Sequence, residues 1–391
     1  MITVNALWKT VREQKYIIFL GLSSLIALVK VYAYSFLLDD ISFAAFNLYL
    51  LAMGFLTIFL TLGSNLRCHT VLPKLNLDDS SQFVEEIRQS KTVVLITTLV
   101  VMPVCLLIDV YLFYGAIQGC LYSLFFIDQI GVKSKGKFTQ FAVNNFVRNF
   151  LILSAGLLAG AYFRSVEFVI YFEILACALL ALYRRNVIFI PKLKGILTYI
   201  VSNQSYLYVT TAGLLMLYVE RMIAVELLTP DDFALFSYLY LLCIAVFTFQ
   251  QFINTRFITE VSISESISMS LKRALKRSIL MLVLSSALML FMYVPLSMNS
   301  NYFLAIDLEL YVIFSILAVL KGVDFFQTIY ITFERRGMLL IIQLFYLLTL
   351  CLTQFYFSTG LKSLLLYFCF FYALYLLMVF MGGLYFVKKG S

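Results

Sequence analysis

The sequence predicts an all-α integral membrane protein with about 12 transmembrane helices in two six-helix lobes related by a parallel repeat. Three observations carry this. The 391 residues are 62% hydrophobic and 13% charged, with a mean hydropathy of +0.95, a composition that excludes both a soluble domain and a disordered chain. Apolar runs long enough to cross a bilayer of about 30 Å recur from end to end. The chain also repeats itself: Leu38 to Ala52 (LDDISFAAFNLYLLA) aligns without a gap with Leu228 to Leu242 (LTPDDFALFSYLYLL), 190 residues on. Leu38/Leu228, Phe43/Phe233, Ala44/Ala234, Phe46/Phe236 and Leu51/Leu241 match. Pro103 and Pro295, two of only five prolines, fall in long apolar runs at a spacing of 192. Two similar halves are the signature of many transporters.

The spans are placed where apolar runs meet polar breaks. They fall near 17–38, 43–64, 92–108, 110–130, 145–163 and 168–183 in the first half, and near 206–228, 233–254, 278–298, 310–333, 338–356 and 363–386 in the second. The stretch from Thr92 to Ile130 is too long for one crossing at about 1.5 Å per residue. A tight turn is expected at Asp109, with Gly115 as the alternative. The domains are then an N-terminal lobe over 1–190, a linker over 191–205 and a C-terminal lobe over 206–391. Pro103 and Pro295 fall near the outer ends of spans 3 and 9, as static kinks or as bending points.

Charge sets the orientation. Of 29 basic residues, only Arg164 and Lys362 fall on one side of this topology; Lys30, Arg221 and Lys321 fall inside spans, and the rest gather on the other side. The positive-inside rule makes that second side cytoplasmic and puts both termini there. The net charge of +8 is thus a topology signal, and no nucleic-acid partner is expected. The short outer loops carry acids: Asp39 and Asp40, Glu167, Asp231 and Asp232. The basic linker is expected on the inner surface. The N-terminus is too polar for a cleavable signal peptide, so the first run reads as a retained span.

Cofactor chemistry is not expected. The seven Cys show no CxxC or metal spacing and read as small apolar fillers, and His69 is the one histidine. Gly131 to Phe138 (GVKSKGKF) fits G-x-x-x-x-G-K, but Phe138 stands where Ser or Thr would hold Mg²⁺, and the stretch follows an apolar helix rather than a strand. It reads as a basic inner loop.

Ionisable groups inside spans cost about 2.5–3.5 kcal/mol each on insertion scales and usually face a cavity or a partner. At the repeat spacing Lys30 in span 1 aligns with Glu220 in span 7, so both halves place charge at matching depth. A shared central cavity accounts for this; a structural ion pair between Lys30 and Glu220 is the alternative. Arg221, about 100° round the helix from Glu220, needs another partner. Lys321 and Asp324, three residues apart in span 10, can bridge on one helix. Glu173 in span 6 has no basic neighbour on its own helix and could carry a proton or sit hydrogen-bonded. Asn145, Arg148 and Asn149 share a face of span 5, where Arg148 could take a phosphate or act as a snorkelling anchor. Tyr34, one turn beyond Lys30, could stack on a sugar ring. Asp128 and Glu226 lie near span ends.

From Lys30 to Leu75 the chain resembles the first helical hairpin of the Wzx-type O-antigen and polysaccharide flippases, of the multidrug/oligosaccharidyl-lipid/polysaccharide exporter superfamily. The matching features are the acidic turn Asp39-Asp40, the aromatic stretch Phe43 to Tyr49, Leu62-Gly63 and Arg67. Glu220 to Tyr240 resembles the same family's seventh-span signature, with Glu220 and Phe236 as departures. The resemblance implies two lobes around a cationic cavity in a bacterial inner membrane. It implies a non-enzymatic protein, without cofactor, that moves undecaprenyl-pyrophosphate-linked oligosaccharide units to the outer leaflet by ion-coupled alternating access. Its partners would be that lipid-linked oligosaccharide, membrane lipids, and a polysaccharide polymerase and chain-length regulator of lipopolysaccharide biosynthesis. In that scheme Lys30, Arg221, Arg148, Lys321 and Tyr34 would meet the substrate, and Glu220, Glu173 and Asp324 would couple protons. A multidrug exporter of the same superfamily is the alternative. So is a polytopic polysaccharide polymerase or glycosyltransferase, although such an enzyme usually has a large outer loop or a soluble domain.

Overall fold

The computed structural model describes residues 15–38, 40–78, 80–184, 189–263, 266–297, 307–356 and 360–390. Lys9, Arg12, Asp39 and Arg185 lie outside the described residues. The chain divides into two compact units, Met1–Thr210 and Thr211–Ser391.

The first unit contains α1 (Lys15–Leu37), α2 (Asp40–Phe59), α3 (Ser64–Asp78), α4 (Ser80–Ile108), α5 (Val110–Ser134), α6 (Phe138–Phe163), α7 (Val166–Tyr183) and the short α8 (Ile196–Ser202). Helix α9 (Gln204–Leu227) leads into the second unit, which continues with α10 (Pro230–Ile263), α11 (Ile267–Ser297), α12 (Leu308–Gly322), α13 (Gln327–Thr332), α14 (Arg336–Tyr356) and α15 (Leu361–Gly390). Each of the twelve expected spans falls on helix. Among the described residues 8 helices are long and apolar enough to cross a membrane, counting α12 and α13 together, and the pair α2–α3 makes a 9th.

In the first unit α1 packs on α6, α2 on α5, α4 on α5 and α6 on α7. In the second, α10 packs on α12, and α12 and α14 both pack on α15. The long apolar stretch from Thr92 to Ile130 turns at Asp109, as its polarity requires. Asp109 is extended (φ −162°, ψ 140°) and caps α5 by accepting from the Tyr111 backbone N–H at 2.7 Å, which satisfies one of the free donors of that helix start. Gly115, the alternative turn, lies inside α5 against Ala52 of α2. The GVKSKGKF stretch is the end of α5, a turn and the start of α6. Its Lys133 is buried, with Nζ 3.0 Å from Nδ1 of His69.

Span 2 breaks between α2 and α3 with a bend of 49°. The break is built from Leu62 (φ 44°) and Gly63 (φ 79°), successive left-handed residues that end a right-handed helix. A Cβ on Gly63 would lie 2.5 Å from the backbone nitrogen of Leu207, so glycine here lets the start of α9 approach closely. One turn further on, Arg67 fastens the connecting segment. Its Nε and Nη2 grip both oxygens of Glu86 at 2.8 and 3.2 Å, and its Nη1 donates to Ser202 Oγ (2.7 Å) and Asn203 Oδ1 (3.1 Å). The Tyr199 ring lies under the guanidinium at 4.7 Å, and its hydroxyl donates to Glu86 at 2.6 Å. Burial, with Cys68 and Glu86 beside it, holds that hydroxyl well above the usual tyrosine range, so it stays a donor. Lys192 pairs with Glu85 at 2.5 Å. The segment after α7 is therefore docked on the first unit through Lys192, Tyr199, Ser202 and Asn203.

Candidate functional site

Each unit buries a lysine–glutamate pair at the depth where its first span carries charge. In the first unit Lys30 of α1 meets Glu173 of α7, Nζ to Oε2, at 2.5 Å. Tyr34, one turn along α1, donates to Glu173 Oε1 at 2.8 Å, and Tyr49 of α2 donates to Oε2 at 3.4 Å. Glu173 is fully buried, and its carboxylate is matched by one cation and two hydroxyls, the condition for keeping a charge in low dielectric. Gly156 of α6 makes room, because a Cβ there would collide with the Tyr34 hydroxyl and lie 2.9 Å from Glu173 Oε1.

Arg148 of α6 is buried at 6% exposure. Its guanidinium lies 4.5, 4.9 and 4.7 Å from the ring centres of Tyr122, Phe125 and Phe126, within the range of favourable cation–π contact. Nε and Nη2 donate to Asn149 Oδ1 at 3.1 and 2.9 Å, while Nη1 has no hydrogen-bond partner among the described residues. Asn149 in turn donates to Ser23 Oγ of α1 at 2.9 Å.

In the second unit Lys321, in the last turn of α12, meets Glu220 of α9 at 2.5 Å, both fully buried. Tyr346 of α14 donates to the other Glu220 oxygen at 2.9 Å. The Lys321 ammonium lies 5.7 and 5.4 Å from the ring centres of Tyr240 and Tyr372. Arg221, partly exposed, lies over the Tyr240 ring at 4.0 Å and forms no ion pair among the described residues. The helix of span 10 breaks after Gly322. Gln250 of α10 satisfies the freed backbone there, donating to the carbonyls of Asp324 (3.0 Å) and, more loosely, Lys321 (3.4 Å), which is how interrupted helices persist at membrane depth. The Asp324 carboxylate accepts from the Gln327 side chain.

Several expected pairings are replaced. Lys30 pairs with Glu173 instead of Glu220, and Lys321 pairs with Glu220 instead of Asp324, because inside each unit the side chain of Glu173 on α7 reaches Lys30 on α1 and that of Glu220 on α9 reaches Lys321 on α12. Glu173 has its basic partner on another helix. Tyr34 is fully buried, its ring edge-to-face with Phe46 at 4.7 Å, which places it within the cluster rather than open for stacking. Arg148 is enclosed by rings rather than snorkelling, and Asn145 bonds back to the Phe141 carbonyl of its own helix. Asp128 pairs with Lys91 at 2.6 Å. Sequence reasoning missed Tyr49, Tyr240 and Tyr346. The repeat carries a signal for the first two, which lie one residue off the 190 spacing; nothing in the apolar run of α14 singles out Tyr346.

No family model matches the sequence, and no curated protein matches it. Solved structures do. A MATE transporter in complex with MaL6 superposes with a TM-score of 0.71 at 11% identity, covering 96% of each chain. An outward-facing multidrug-resistance MATE family transporter of the MOP superfamily gives 0.70 at 13% identity, over 98% of this chain and 97% of that one. A MOP superfamily transporter from Pyrococcus furiosus, described as having a binding pocket of reverse polarity that suggests a different function, gives 0.65 at 13% identity, over 96% and 94%. Superposing along nearly its whole length, the chain has the fold of the MATE transporters of the MOP superfamily, twelve transmembrane helices in two lobes.

Proposed function

We propose that this protein is a flippase that carries undecaprenyl-pyrophosphate-linked oligosaccharide repeat units from the inner to the outer leaflet by ion-coupled alternating access, in a surface polysaccharide pathway of the O-antigen kind. The observation that carries the reading is the state of the in-span cations. Lys30 and Lys321 are each neutralised by a glutamate, whereas Arg148 lies among three rings and Arg221 over one, with no carboxylate in ion-pair range of either among the described residues. Uncompensated guanidinium suits a pyrophosphate, which it can grip through two parallel hydrogen bonds. A cationic drug would be repelled. The Pyrococcus transporter's reversed pocket polarity is a precedent within this fold for cargo other than the drugs of its neighbours.

Arg221, the partly exposed member, is the first contact for phosphate. The lysine–glutamate pairs couple protons to it. A proton on Glu173 or Glu220 removes the negative charge and dissolves the ion pair, and that change resets the lobes between one cargo and the next. Asp324, at the break of span 10, is the third proton acceptor in this scheme. A multidrug exporter is the second reading, favoured by the drug-exporting neighbour of the same fold.

A deletion strain separates these readings. Loss of surface glycan, with labelled single repeat units held on the inner leaflet, is the expected result. Units that reach the outer leaflet yet stay unpolymerised point to a polymerase, and intact glycan with gained drug sensitivity points to an exporter. Arg221→Ala is expected to abolish complementation at normal expression and Arg221→Lys to restore part of it, while full activity of Arg221→Ala would remove the phosphate contact.

A further inference from the structure

The segment between α7 and α9 carries an interaction surface that the transport reading does not use. From Arg184 to Ser202 the sequence holds Arg184, Arg185, Lys192 and Lys194 and no acidic residue. Its two ends continue directly into candidate spans, Val166–Tyr183 and Gln204–Ala224, and its middle is held at the start of α4 by Lys192 on Glu85 and by Tyr199 on Glu86. Those anchors hold the segment beside the polar first turns of α4, ahead of its apolar run from Thr92.

Its two faces differ. Ile196 and Tyr199 are buried against the first unit at 9% and 5% exposure. Leu197 and Val201, one turn apart on α8, are exposed at 75% and 60%, and Ile190 and Leu193, in the irregular stretch before it, at 80% and 67%. The exposed apolar stripe has Lys194 beside it and Arg184 at the end of α7, both exposed. An amphipathic segment with an apolar stripe and flanking cations, held level with a membrane face, lies in the lipid interface with its stripe among the acyl chains.

We infer that this segment is a binding surface for anionic phospholipid headgroups, with Leu193, Leu197 and Val201 inserted below them and Arg184 and Lys194 holding the phosphates. The absence of acids from the segment selects anionic over zwitterionic lipid, and basic residues at a membrane surface act additively in that choice. The buried face is fastened by Arg67 to the turn at Gly63, so lipid held here is held against the first unit.

The test uses the full chain in nanodiscs. Leu197→Trp, at an exposed position and in a Trp8→Phe background, reports contact with lipids brominated near the top of the acyl chain. At low salt, brominated phosphatidylglycerol is expected to quench at least about twofold more than brominated phosphatidylcholine at equal mole fraction, with the ratio falling to parity in high salt and in Arg184→Gln/Lys194→Gln. Both substitutions are at exposed positions, and a Lys272→Gln control should keep the ratio. Equal quenching by the two lipids in the unsubstituted background would overturn the anionic selectivity. Quenching by neither would place the stripe away from the bilayer and overturn the surface itself.

Discussion

In the first unit the buried lysine comes from the first helix and the glutamate from α7; in the second, the glutamate comes from the equivalent first helix, α9, and the lysine from α12. The repeat position therefore changes sign, Lys30 against Glu220, and each unit supplies the opposite charge from a different helix of its own. The aromatic setting is the part that recurs. Phe46 and Tyr49 of α2 lie 5.7 Å apart at 44°, and Phe236 and Tyr240 of α10 lie 5.8 Å apart at 40°. The ammonium of Lys30 sits 5.5 Å from the Phe46 ring and that of Lys321 5.7 Å from the Tyr240 ring. What the duplication retains is an aromatic wall on the second helix of each unit with an ion pair against it. Which helix brings which charge is open to exchange, because an ion pair in a dry interior constrains the sum of its charges and not their order.

The largest expected effect breaks this comparison directly. Glu220→Ala leaves Lys321 buried without a partner, and Glu173→Ala does the same to Lys30. Each should destabilise the protein by about 3–5 kcal/mol, read as thermal unfolding of the purified chain in lipid. The double change Lys321→Met/Glu220→Leu removes both charges and should recover most of the loss. If Glu173→Ala is tolerated while Glu220→Ala is not, Lys30, at 12% side-chain exposure against 1% for Lys321, reaches water and the two pairs are not equivalent.

A smaller effect distinguishes the ends of the units. Arg67 grips Glu86 and the connecting segment, and its partner is nearly buried at 8% side-chain exposure. Arg277 pairs with Glu260 at 2.8 Å, but Glu260 is 30% exposed and also holds Arg256. Arg67→Ala should cost about 2 kcal/mol, since Glu86 then keeps only the Tyr199 hydroxyl. Arg277→Ala should cost about 0–1 kcal/mol, since Arg256 remains and water screens the site. Hydrogen exchange sharpens the difference: residues 189–203 should exchange faster in Arg67→Ala and unchanged in Arg277→Ala.

The spans and the turn at Asp109 were legible because hydropathy and a lone polar residue in an apolar run are local properties. So was the depth of the buried charges, which the repeat places by counting. Their pairing was not, since it depends on which helices pack: Lys30 and Glu173 are 143 residues apart, and no spacing along one helix relates them. The Leu62-Gly63 and Arg67 features were visible as a pattern, but their work lies in the fold, where a left-handed turn lets Leu207 approach and the guanidinium reaches Ser202. The aromatic enclosure of Arg148 was hidden for the same reason, because Tyr122, Phe125 and Phe126 are three of many rings in an aromatic-rich chain.

A further small effect compares the caps at the fourth span of each unit. Asp109 accepts from Tyr111 at 2.7 Å, and Asp307 accepts from the Leu310 backbone at 2.6 Å while Lys362 sits 2.6 Å from its other oxygen. Asp109→Ala should cost about 1 kcal/mol, the usual value of a lost N-cap. Asp307 adds a titration to its cap. The Lys362 ammonium and then the Leu310 N–H hold its carboxyl below the usual carboxylate range. A carboxyl depressed in the folded state stabilises fully above its unfolded value of about 3.9 and loses that contribution as pH falls through the lower folded value. Unfolding measured between about pH 5 and 2 should therefore show a small acid-dependent loss that disappears in Asp307→Asn and shrinks in Lys362→Gln. Since both side chains of the pair reach water, at 44% and 54% exposure, added salt should shrink it too. A loss that survives both substitutions would move the acid-sensitive group away from this cap.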